Sequence, residues 1–206
     1  MKNFKTIITS LIIVLVLTSC GSSDQEEALN QLLPLETKTI KSLHIPGEGR
    51  GQYKGPFTKF SFSEGKQVED DNWDIAFRAT DIIVNGGTKG LLLDDIDRVH
   101  DAAIILLEGT FSSIKEAPAD TDFKQDTAER LALEKGSGKG WYNYNFTTHA
   151  ISPIAGKILV VKTHNGHYAK VEILSYYKNP QDILSDPQHL TFNYIYNPNK
   201  GDKALQ

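Results

Sequence analysis

Asp71-Asn72-Trp73-Asp74-Ile75-Ala76-Phe77-Arg78, running on to Thr80-Asp81-Ile82-Ile83-Val84-Asn85-Gly86-Gly87, decides the fold class. Trp73, Ile75 and Phe77 alternate with Asp74, Ala76 and Arg78. A period of two places one large apolar face on a core and turns a smaller, more polar face away from it. Ile82-Ile83-Val84 is a second β-branched run, and Asn85-Gly86-Gly87 carries the residue types of a tight turn. The stretch therefore predicts a core strand leading into a hairpin.

Working outward, the same signal recurs. Residues 157–177 hold Ile158-Leu159-Val160-Val161, then Asn165-Gly166, then a return run from Tyr168 to Tyr177. A two-residue turn at Asn165-Gly166 pairs His164 with His167, Lys162 with Ala169, Val160 with Val171 and Ile158 with Ile173. On that register the two histidines end one apolar face, side by side. Residues 35–43, 58–63, 104–107, 141–146 and 189–196 also read as strands. Residues 47–51, 66–72 and 109–119 read as connections. Residues 126–135 are helix formers stopped by Gly136-Ser137-Gly138, and Pro180 opens a short turn or helix ended by Pro187. The expected fold is mostly β: antiparallel strands and hairpins in a single domain, with a few short helices.

Composition limits the function classes. Of 206 residues, 39% are hydrophobic and the net charge is −4, with no basic block, so nucleic acid is not an expected partner. No Ser-His-Asp pattern in recognisable context, glycine-rich phosphate loop or His-Glu-x-x-His is present, so no enzyme is expected. Asp94-Asp95-Ile96-Asp97 lacks the spacing of an EF-hand and reads as a solvated loop or a Ca²⁺ contact.

The first residues read as an address. Lys2 and Lys5 precede an apolar run over residues 7–17, too short for a comfortable span, which ends in Leu17-Thr18-Ser19-Cys20. This resembles a bacterial lipoprotein signal, in which residues 1–19 are removed and Cys20 is acylated. The alternative is an unpaired structural thiol at Cys20, the only cysteine of the chain. Lipidation implies anchoring to a membrane without spanning it. Residues 20–32 then form a flexible acidic tether, similar to a surface-export signal of Bacteroidetes-like lipoproteins, and residues 33–206 form the domain.

The later motifs add a resemblance. Trp73-Asp74-Ile75-Ala76-Phe77 with Asn85-Gly86-Gly87 resembles a signature of the HmuY family. Trp141-Tyr142-Asn143-Tyr144, Ile151-Ser152-Pro153 and Gly166-His167-Tyr168-Ala169-Lys170-Val171 with Ser175-Tyr176-Tyr177 resemble its later signatures, in the same order. The resemblance implies a β-rich lipoprotein of Bacteroidetes-like bacteria, anchored in the outer membrane and displayed at the surface. It also implies capture of haem, free or from host haem proteins, and delivery to a TonB-dependent outer-membrane receptor. Ligands vary within that family, and a member without haem would be a surface module for a protein or glycan on the same scaffold.

The residues narrow the ligand chemistry. Met1 leaves with the signal and Cys20 is acylated, so histidine leads among axial haem ligands and tyrosine follows. Of the six histidines, His149 lies in the connection between residues 141–146 and the hairpin at 157–177. His149 with His167 is the expected ligand pair. His164 beside His167 is an alternative as one axial ligand, as a cis chelator of Zn²⁺ or Cu²⁺, or as a plain turn residue. Trp141, Tyr142, Tyr144 and Tyr168 are candidates to pack on a porphyrin, and core packing explains them equally well.

Overall fold

The computed structural model describes residues 32–183 and 185–206; the leader, Cys20 and the tether through residue 31 lie outside them. Leu33–Gln206 form one unit. Its strands are β1 (Glu36–His44), β2 (Glu48–Arg50), β3 (Gln52–Lys54), β4 (Thr58–Ser61), β5 (Lys66–Gln67), β6 (Ile75–Arg78), β7 (Asp81–Val84), β8 (Ala103–Glu108), β9 (Tyr142–Tyr144), β10 (Ile151–Pro153), β11 (Lys157–Lys162), β12 (Tyr168–Tyr177) and β13 (Pro187–Asn197). A five-stranded sheet runs β1-β13-β12-β11-β8 and a four-stranded one β5-β4-β6-β7, with two further hairpins, β2-β3 and β9-β10. All strand pairings are antiparallel. The fold is essentially all β, as expected.

The two larger sheets pack face to face. Phe60, Ile75, Phe77, Ile82 and Val84 of one meet Leu159, Val161, Val171, Phe192 and Tyr194 of the other in a single apolar cluster. Phe60 is its centre, edge-on to Phe62, Phe192 and Tyr194 at 5.4–6.0 Å between ring centroids. Such edge-to-face geometry suits the ring quadrupoles and adds to the burial of area.

Each sheet is also covered on its outer face. Trp73, Ala76, Ile83 and Leu131 form a second cluster, and Val160, Tyr168, Ala117 and Leu205 a third. Under this third layer Lys170 is 1% exposed and its Nζ donates to the carbonyls of Phe111 and Ile114 at 2.6 and 2.7 Å. Burial pushes the Lys170 ammonium below its ordinary pKa.

This double coverage corrects the opening expectation. The second face of the 71–87 stretch does not turn away; Asp74, Ala76 and Arg78 are buried as deeply as Ile75 and Phe77. Trp73 precedes β6 and packs with Ala76 and Ile83, apart from Ile75 and Phe77. A hairpin does form, but its turn is at Ala79-Thr80, where Arg78 pairs with Asp81. Asn85-Gly86-Gly87 lies beyond it as a crossing point of backbones. The buried Asn85 side chain donates to the carbonyls of Asp71 and Trp73 and accepts from Val99 N–H. Gly86 bridges to His100 and Asp101, and Gly87 to Asp126.

Two other expectations are corrected. Residues 126–135 form no helix. Asp126 is held extended by accepting from Val84 N–H and Ala132 N–H, and Leu131 and Leu133 reach two different clusters. Among the described residues the region opened by Pro180 also forms turns only, and the one helical element is a 3-10 turn at Asp120–Asp122.

The hairpin of β11 and β12 is shifted by one residue from the expected register. Val161 faces Ala169, Leu159 faces Val171 and Lys162 faces Tyr168. Gly166 N–H donates to the Thr163 carbonyl, and Thr163 N–H to the His167 carbonyl. The loop is therefore His164-Asn165-Gly166, with Gly166 at φ +85°. A one-residue slip turns one strand over relative to its partner, so Ala169, Val171 and Ile173 share a face with Leu159 and Val161 in place of Ile158, Val160 and Lys162. Leu159, Val161, Ala169, Val171 and Ile173 point between the sheets, and Val160, Tyr168 and Lys170 point outward.

Candidate functional site

A cleft of about 730 Å³ opens where the two small hairpins meet. This lies within the usual size of ligand sites, roughly 300–1,000 Å³. The β2-β3 hairpin contributes Arg50, Gly51 and Tyr53, the β9-β10 hairpin and its loop contribute Tyr142, Tyr144, His149 and Ile151, and Ser137 and Pro187 complete the lining. Aromatic faces and one cation dominate it.

His149 is held in place by its loop. Asn145 N–H donates to the Ala150 carbonyl, closing residues 145–150. The Asn145 side-chain oxygen accepts from Thr147 N–H and Thr148 N–H. Tyr144 N–H donates to Ser137 Oγ. His149 itself adopts φ +57°, an uncommon conformation for a residue other than glycine. Its Nδ1 lies 2.6 Å from the Tyr144 hydroxyl. If Nδ1 carries the proton, the phenol oxygen accepts it and Nε2 keeps a lone pair for a metal, as oriented histidine ligands do. If the phenol donates instead, Nδ1 is the acceptor and the N–H of the neutral ring is on Nε2.

The other candidates disperse. Trp141 is buried behind the cleft; it stacks at a tilt on Tyr142 at 5.1 Å, and its indole N–H donates to the Thr80 carbonyl. Tyr168 is in the outer cluster of the large sheet, donating to Asp120 at 2.6 Å. Burial, and then the Asp120 carboxylate, push its hydroxyl up to about 12. His167 stacks on Tyr196 at 5.6 Å, and its Nδ1 lies 3.1 Å from the Asn197 carbonyl. His164 turns to Asp74.

His149 and His167 are at opposite ends of β12. Ile151, two residues past His149, donates its N–H to the Tyr177 hydroxyl at the last residue of β12, and His167 immediately precedes its first. Ten residues of strand at about 3.3 Å each separate those ends by roughly 30 Å. The two histidines are not placed to hold one iron between them. Nor do His164 and His167 form a side-by-side pair, because the register that would align them is not the observed one. Asp94, Asp95 and Asp97 are taken up by Gly55 N–H, Arg98 and Lys89, which ties the 88–100 loop down.

Arg50, Tyr53, Ser137, Ile151 and Pro187 were not singled out from the sequence. They lie on four separate segments, and of them Ile151 alone belonged to a motif of the resemblance, without a role assigned to it. Burial raises the Tyr53 hydroxyl pKa, and its bond to Thr80 acts in the opposite direction.

The family model described as HmuY protein matches residues 55–194. The chain belongs to the HmuY family. No curated protein matches it. Among solved structures it is similar to an HmuY-like haem-binding protein from Bacteroides vulgatus ATCC 8482. They share 18% identity at a TM-score of 0.46, over 80% of this chain and 93% of that one. It is also similar to the apo HmuY analog of Tannerella forsythia, with 18% identity and a TM-score of 0.42, over 82% of this chain and 100% of that one. A lipoprotein from Bacteroides fragilis NCTC 9343 matches at 13% identity and a TM-score of 0.42, over 80% and 90% of the two chains. The matched HmuY region contains β9, β10 and the His149 loop but stops short of the last strand's end, and Arg50 and Tyr53 precede it.

Proposed function

We propose that this HmuY-family chain is a haem-binding lipoprotein that takes up its cargo in the cleft between the two small hairpins. One observation carries the reading: a tyrosine–histidine pair, Tyr144 and His149, is hydrogen-bonded inside an aromatic cleft of suitable volume. Tyr142, Tyr144 and Ile151 offer apolar surface to the ring. Arg50 offers a cation to a propionate. The Tyr144–His149 pair offers the axial ligand, histidine through Nε2 or tyrosine through its phenolate; both are ordinary haem ligands. Acylation at Cys20 would hold the domain at the outer membrane, and the loaded protein would pass haem to a TonB-dependent receptor. The protein acts by binding, not by catalysis.

The test is a haemin titration of the chain from Ser22 onward, read at the Soret band. Saturation at one haem per chain is expected, with loss of the ligated spectrum in the Tyr144→Phe, His149→Ala double variant and no change in His167→Ala. The two single variants report which of the pair meets the iron. Absence of a saturable shift at micromolar protein would reject the reading and favour a module for a protein or glycan partner on the same scaffold.

A further inference from the structure

We propose a second site, separate from the cleft, in which His100 and His164 together bind a first-row divalent cation such as Zn²⁺ or Cu²⁺, with Asp74 positioning His164.

The argument begins at Asp74. Its side chain is 1% exposed and accepts three N–H groups: Phe62 N–H at 2.7 Å, His164 N–H at 2.9 Å and His164 Nδ1–H at 2.7 Å. An ionised carboxylate only accepts hydrogen bonds. His164 Nδ1 is therefore a donor to Asp74, and in the neutral ring the lone pair is on Nε2. A buried carboxylate that fixes the tautomer and direction of an imidazole is the arrangement found behind metal-bound histidines. No such device is needed for a histidine that merely flanks a turn.

The second ligand comes from a distant part of the chain. His100 sits just before β8, placed by its bridge to Gly86. Its ring centre is 5.1 Å from that of His164, with 48° between the planes. Two imidazoles sharing one tetrahedral ion, with metal–nitrogen bonds of about 2.0–2.1 Å, have ring centres about 5 Å apart. The observed centroid spacing matches that distance, and the 48° tilt keeps the rings out of a face-to-face stack. Among the described residues no hydrogen bond engages the His100 ring. The His164 side chain is 11% exposed, so the ring is largely enclosed without being sealed off.

Among the described residues no group of three or more histidine, cysteine or acidic side chains gathers round one point, so two protein ligands leave positions open to water. Such an open, nitrogen-only site favours Cu²⁺ and Zn²⁺ over Mg²⁺ or Ca²⁺, which want oxygen donors. An ion there would tie the β11-β12 turn to the segment entering β8. The site is at the His167 end of β12, away from Tyr144 and His149, and it stands whether or not the cleft takes haem.

The experiment is calorimetric titration of the untagged full-length chain in detergent with Zn²⁺, followed by electron paramagnetic resonance of the Cu²⁺ form. One ion per chain is expected, with nitrogen hyperfine structure from two imidazoles. Affinity should fall by about tenfold or more in His100→Ala and in His164→Ala, a loss typical of a missing ligand or its support. It should not change in His149→Ala or His167→Ala. His164→Ala also removes a bond to Asp74 and can disturb folding. His100→Ala, shown to be native by circular dichroism, is therefore the deciding variant. Unchanged affinity and an unchanged two-nitrogen signal in His100→Ala would overturn the proposal, as would no saturable binding by the unaltered chain up to millimolar Zn²⁺.

Discussion

Gly87 and Gly166 have nearly the same backbone angle, φ +88° and +85°, but opposite surroundings. A Cβ at Gly87 would lie 2.0 Å from the Asp126 carbonyl oxygen and 3.0 Å from the Asp126 backbone carbon and nitrogen. A Cβ at Gly166 would lie 3.2 Å from Cε of Lys200, the far part of a flexible side chain. Replacing either by alanine imposes the left-handed penalty of about 1–2 kcal/mol. That part cancels in the comparison. At Gly87 the Asp126 backbone must also retreat by about an ångström to restore van der Waals distance. The retreat breaks Thr88 N–H to the Asp126 carbonyl at 2.8 Å and Asp126 N–H to the Gly86 carbonyl at 3.3 Å. At about 1 kcal/mol each, these losses bring Gly87→Ala to roughly 3–4 kcal/mol against roughly 1–2 for Gly166→Ala. Urea unfolding followed by circular dichroism, with the slope m unchanged, gives the difference directly. Equal losses within about 0.5 kcal/mol, the usual noise of surface changes, would refute the view that Asn85-Gly86-Gly87 is a backbone crossing and not a turn.

Asp126 should be the most sensitive acid of the core. Asp126→Ala leaves Arg98, whose side chain is 1% exposed, without its 3.0 Å partner and strips Val84 N–H and Ala132 N–H of their acceptor; a loss of about 3–5 kcal/mol in urea unfolding is expected. Asp126→Asn, which keeps an accepting oxygen, should lose less, and an Ala variant within about 1 kcal/mol of wild type would show that Asp95 alone satisfies Arg98. Asp120 makes a pH prediction. Hydrogen bonds from Lys162, then Tyr168, then Lys203 hold its carboxyl well below the usual carboxylate range. Its folded pKa is therefore depressed, so its contribution is present above the ordinary value of about 4 and is lost as pH falls below it. Melting temperatures from pH 7 down to pH 2.5 should fall less steeply in Asp120→Asn, and an identical slope would contradict the assignment.

What was legible in the sequence was the class of local structure. Alternation at 58–63, 141–146 and 189–196 and the β-branched runs of β7 and β11 sufficed, because a strand's period is a property of neighbouring residues. Of the candidate site residues named from the sequence, His149, Tyr142 and Tyr144 do share one cleft. Which residues meet was decided by tertiary structure. The one-residue shift of the β11-β12 hairpin came from a three-residue loop in place of a two-residue one, and it separated His164 from His167. Asn85-Gly86-Gly87 looked like a turn because glycine serves turns and close backbone approaches alike, and only Asp126 and Ala102 on the other side distinguish them. The helix formers of 126–135 were overruled by Asp126's buried bonds and by two leucines drawn to separate clusters. Arg50 and Tyr53 meet His149 across about a hundred residues of chain, and Asp74 meets His164 across ninety. No local pattern encodes such pairings; they follow from how the sheets stack, which depends on the whole set of apolar faces at once.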